Sequence, residues 1–205
     1  MDKAGLRSQF KALLNRNDCT NDLADSFVDQ AIGRIQRTLR IPSMEVSAQF
    51  TFTDANPSFF ILPNTFLEFI DLFYEDATGT KVLKQIPRSV FLEKPNYIGV
   101  PEYYTRFGPA VNVKPQPPQG SIVTLLYYGE VPDLVQDTDS NILSSAVPDL
   151  IIYAALSYAC DYFVDVRKES FEAVYSQIYD ELMAQAASLE FSGGEMQIQP
   201  MGGLY

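Results

Sequence analysis

Acid–base and nucleophilic chemistry in a small protein rests most often on a histidine, a reactive cysteine or a pair of carboxylates. The 205-residue chain has no histidine, which removes the commonest general base, the Ser-His and Cys-His nucleophile pairs and most zinc sites. Its two cysteines, Cys19 and Cys160, form neither a CxxC pair nor a disulfide framework. Cys160 falls inside an apolar run and reads as a small core residue. There is no P-loop and no GxGxxG. Carboxylates are plentiful, so counting alone does not exclude a glycosidase-like acid pair. Asp133, Asp137, Asp139 and Asp149 surround one connection, but their spacing fits no calcium loop and they read as solvated acids. No catalytic residue, cofactor or metal site is assigned.

The remaining candidates would bind a partner. Arg34, Arg37 and Arg40 lie toward the end of a predicted helix. They read either as a solvated helix end matched to the dipole or as an intersubunit salt-bridge face. After residue 191 the chain turns glycine-rich, yet Met196, Ile198, Met201, Leu204 and Tyr205 are apolar. Met196 and Ile198 alternate with Gln197 and Gln199, which suits an extended segment laid on a partner's surface or sheet edge.

The elements that position these residues centre on residues 148–189, which read as two consecutive helices. In the first, Leu150, Ile151, Ala154, Ala155, Leu156, Tyr158, Ala159, Tyr162 and Val164 leave little polar surface, so it must be covered on most sides. Pro148 and Asp149 suit its first turn. The second carries a one-sided stripe of Phe171, Val174, Tyr175, Ile178, Leu182, Met183 and Ala186, with Glu172 on the other side. Near the N-terminus, residues 3–15 predict a short helix, and a second begins at a cap on Thr20 or Asn21 and stops at Ile41-Pro42.

Between these helical ends the period changes from 3.6 to 2. Val46, Ala48, Phe50 and Phe52 alternate with polar residues as in a half-buried strand. A hairpin over residues 66–86 and three further strands at 103–107, 110–114 and 121–128 follow, with prolines between them. Residues 129–146 read as a polar connection. The expected fold is α+β: a helical bundle from residues 1–44 and 145–191, an inserted antiparallel β domain over 45–144, and an extended tail over 192–205.

The net charge of −11 and a pI near 4.4 argue against a protein that grips nucleic acid, because phosphate binding needs clustered Lys and Arg. The first residues lack the apolar core of a signal peptide, and no run suffices for a membrane span, so synthesis in a reducing cytoplasm is expected.

Three stretches carry a family resemblance: residues 27–45, then 101–107 with 111–115 and 123–132, then 148–156. Together they resemble the adaptor, or head-to-tail connector, proteins of tailed bacteriophages, over most of residues 22–190. The resemblance implies a structural virion protein at the neck, made in the host bacterial cytoplasm. It implies a ring, typically of twelve copies, joining the portal to the tail or nozzle, through which DNA passes. The portal or a neighbouring subunit is then the expected partner of the tail. An acidic lumen would resist sticking to DNA, with screening beyond about 10 Å at moderate salt. The rival readings from the residues are a carboxylate-dependent virion hydrolase and a receptor-binding β module of the tail.

Overall fold

The computed structural model describes residues 1–76 and 79–191, apart from the side chains of residues 189–191. In chain order it holds helices α1 (Lys3–Leu14) and α2 (Asn21–Thr38), a 3₁₀ turn (Pro42–Met44), and strands β1 (Glu45–Thr51), β2 (Phe59–Ile61), β3 (Phe66–Asp76), β4 (Gly79–Val82) and β5 (Lys84–Gln85). Helix α3 (Arg88–Glu93), strands β6 (Tyr103–Phe107), β7 (Ala110–Lys114) and β8 (Ile122–Gly129), and helices α4 (Ile142–Ala146), α5 (Pro148–Phe163) and α6 (Lys168–Phe191) follow. The class is mixed α+β. Two compact units divide it, one from residues 1–42 with 132–205 and the other from residues 43–131.

In the helical unit, α5 packs against α1, α2, α4 and α6. The reason is its composition: Leu150, Ile151, Ile152, Ala154, Ala155, Leu156, Ala159 and Cys160 are all buried. Pro148 starts the helix at its first turn, where a missing N–H costs nothing. The cover ends after Cys160. Tyr162 is exposed and Val164 is 90% exposed, contrary to the all-round burial expected from the run. Val164 closes the helix in the left-handed conformation, with φ of 53°.

Helix α1 buries Leu6, Phe10 and Leu14, and α2 buries Phe27, Val28, Ala31, Ile32 and Ile35, in each case at helical spacing. The hydroxyl of Thr20 accepts from Leu23 N at 3.2 Å and caps α2. Residues 142–146, read from sequence as part of a polar connection, form α4. The Asn141 side chain accepts from Ser144 N at 2.8 Å, and Ser144 Oγ accepts from Asn141 N at 2.9 Å. This is a reciprocal cap with serine in the place usual for glutamate.

The β unit stacks two four-stranded sheets. The first has the order β1-β8-β3-β4 and is antiparallel throughout; the second has the order β2-β7-β6-β5. β8 is central, as its apolar faces predict. Inward side chains of both sheets, including Phe52, Phe60, Leu72, Tyr104, Val111, Val113, Val123 and Leu125, form one core. Phe50 and Phe60 stack with centroids 4.2 Å apart.

The sheets are not antiparallel throughout, as the sequence reading had it. β5 pairs in parallel with β6, and Ile98 bridges Gln116 in parallel. The hairpin β3–β4 ends at Val82, the buried Leu83 turns the chain, and β5 joins the other sheet. Residues 86–102, including α3, make the long crossover that a parallel pair requires. Lys114 Nζ donates to Phe91 O at 3.1 Å and Lys94 O at 2.9 Å, which ties the end of α3 to β7.

Candidate functional site

Arginine 34 leaves α2 toward α6. Its Nη1 donates to Glu172 Oε2 at 3.0 Å, and Nη2 donates to Glu172 Oε1. The guanidinium lies 4.0 Å from the centre of the Tyr175 ring. Ser157 Oγ on α5 donates to Glu172 Oε2 at 2.6 Å. Three helices therefore meet at one carboxylate. The Arg34 hydrogen bonds, joined by that of Ser157, hold Glu172 below the usual carboxylate range, and the pair raises Arg34 in turn. Burial pushes the Tyr175 hydroxyl up. Beside this cluster a groove of about 260 Å³ is lined by Arg34, Thr38, Tyr175, Ser176, Tyr179 and Asp180. Among these residues Tyr179 Oη donates to Thr38 O at 3.1 Å.

The three candidate arginines thus separate. Arg34 is engaged within its own chain. Arg40 Nη1 donates to Gln36 O at 3.0 Å and Leu39 O at 2.7 Å, which satisfies the end of α2. Arg37 is exposed. Met196, Ile198, Met201, Leu204 and Tyr205 lie outside the described residues.

Sequence reasoning placed Glu172 on the solvent side of α6 and so missed its role. The available signal was Ser157, a hydroxyl set in an otherwise apolar helix.

A second network fixes α1. Arg7 Nε and Nη2 donate to Asp25 at 2.6 and 2.7 Å, and Nη2 also donates to Asp137 at 2.6 Å. The ammonium of Lys3 donates to Leu134 O at 2.9 Å, and that of Met1 donates to Ser144 O at 2.8 Å. Near the far end of α1, Arg167 Nη2 donates to Leu14 O at 2.9 Å and to Asp165 at 2.7 Å. Hydrogen bonds from Arg167 lower Asp165 to about 2.

Three of the acids around residues 133–149 are engaged within the fold. Asp137 binds Arg7, Asp139 accepts from Val135 N and Gln136 N at 2.9 and 2.7 Å, and Asp149 accepts from Leu150 N at 3.0 Å. Among the described residues no three His, Cys, Asp or Glu side chains are grouped to hold a metal ion. Both thiols are buried, and burial raises them, the reverse of an activated nucleophile. What the helical unit presents is a set of helices tied together by ion pairs, with no catalytic grouping among the described residues.

The family model of the SU10 adaptor protein matches residues 1–197, which takes in both units. The chain belongs to the SU10 adaptor protein family. It is accordingly a bacteriophage adaptor, a structural component of the virion at the head–tail junction. No curated protein matches the chain.

Proposed function

We propose that this adaptor assembles as a ring, with twelve copies expected, between the portal and the downstream tail or nozzle protein, and that DNA passes through the ring without being gripped. The observation that carries the reading is the family match across both units. The net charge of −11 supports passage without tight binding, since a lumen of like sign does not neutralise phosphates. Exposed Arg37 is offered to a neighbouring subunit, while Arg34 stiffens the helix that carries it. Residues 192–205, with Met196, Ile198, Met201, Leu204 and Tyr205, dock on the portal or on the next subunit. The protein itself catalyses no reaction.

Mass measurement and electron microscopy of the purified chain with its portal test this reading. A closed ring on the portal face is expected, and deletion of residues 192–205 should leave the subunit folded while weakening attachment. A stable monomer with reproducible hydrolytic turnover would overturn it.

A further inference from the structure

The two outer faces of the β unit differ in charge: the first is acidic, and on the second Lys84, Arg88 and Lys94 outnumber Glu93, the one acid of α3. The strand registers set Glu45, Asp71 and Glu75 on the outer face of the first sheet, together with Ile122 and Val82. All three carboxylates are exposed, Val82 is 57% exposed, and the paired positions of this face hold no Lys or Arg. The opposite side of the unit is the outer face of the second sheet and the helix α3 laid on it. The register of β5 with β6 puts Lys84 on that face beside Tyr103. Arg88 stands 3.9 Å over the Phe107 ring and Lys94 4.8 Å over Tyr103, so both cations are held on the surface of the sheet. Among the described residues, none of Asp71, Glu75, Lys84 and Arg88 forms an ion pair. Exposed apolar side chains accompany the cations: Leu92 is 66% and Ile98 70% exposed.

We propose that the β unit binds a second copy of this chain head to tail, the acidic outer face of the first sheet on one subunit packing against the basic, α3-covered face of the second sheet on the next. A two-fold dimer through either face would set like charges together and is disfavoured. Joining the unlike faces pairs the charges and covers Val82 and Ile122 with Leu92 and Ile98. Such a contact uses two different patches of one molecule, and repeating it generates a ring when the rotation closes. The proposal deepens the ring reading and rests on it.

The test uses the full chain, followed by sedimentation velocity across a salt series. Wild type should assemble, less so as salt rises. The charge reversals Asp71→Lys with Glu75→Lys, and separately Lys84→Glu with Arg88→Glu, should each weaken assembly by about tenfold or more. Mixing the two variants should restore it, because the reversed first face of one then meets the reversed second face of the other, and their unreversed faces meet as in wild type. Reversal variants that assemble like wild type, or folded variants that stay apart when mixed, overturn this interface and leave the ring reading intact. A wild-type chain that remains monomeric alone and on its portal overturns both. If a reversal costs the far-UV β signal, the neutral pair D71N/E75Q replaces it. A flattened salt dependence then supports the proposal, and an unchanged one overturns it.

Discussion

Arg34 on α2 and Glu172 on α6 form a two-pronged ion pair that Ser157 on α5 completes from below. Fork-to-carboxylate geometry is the stronger form of this contact. Solvent still reaches it: the Arg34 side chain is 25% exposed and that of Glu172 36%. Screening therefore keeps its contribution modest, about 1 kcal/mol. Arg34→Ala and Glu172→Ala should each lower stability by about that amount in urea denaturation, and the double variant should lose less than the sum. A fully additive double variant would show that the pair contributes nothing.

The burial of α5 sets the next expectation. Leu156 has 0% exposure. Leu156→Ala should cost about 2–5 kcal/mol, the lost transfer energy plus a cavity that close-packed neighbours cannot fill. A denaturation midpoint that moves by less than about 1 kcal/mol equivalent would mean that the neighbouring helices collapse into the space.

Stability should fall on acidification. Asp165 is held at about 2 by Arg167, Glu172 is lowered by Arg34, and Asp137 is lowered by Arg7. Unfolded carboxyl groups titrate near about 4. A group whose folded value is depressed contributes stability that is complete above the unfolded value and lost as pH falls through the folded one. The urea midpoint should therefore be flat near neutrality and drop between about pH 5 and pH 2. Arg167→Ala should remove part of that slope. An unchanged acid limb in that variant would exclude Asp165 as a contributor.

Val164 offers a gain. A β-branched residue at φ of 53° is strained, and its side chain is 90% exposed, so little packing offsets the strain. Glycine suits this helix-end position. Val164→Gly should raise stability by about 0.5–1 kcal/mol, read as a higher melting temperature, after allowing for the greater freedom of glycine in the unfolded chain. A lower melting temperature would show that the exposed valine is packed in the folded protein.

The sequence determined a good deal by itself, and the reason is periodicity. The stripe from Phe27 to Ile35, the apolar run from Leu150 to Cys160 and the alternation from Ala48 to Phe52 report the face each element turns to the core, although Val46, at the start of that strand, is 43% exposed. Helix α4 was not legible, because five residues give no period and its cap uses serine where glutamate is usual. Tertiary structure alone decided the rest. That β4 ends at Val82 in one sheet while Lys84 opens β5 in the other, in parallel with β6, depends on partners far along the chain, which no local pattern encodes. That Glu172 meets Arg34 follows from how α5 sets α2 and α6 side by side; along the chain the two residues are 138 positions apart. Local sequence fixes a residue's face on its own element. Its partner is fixed by packing, which depends on every side chain between them.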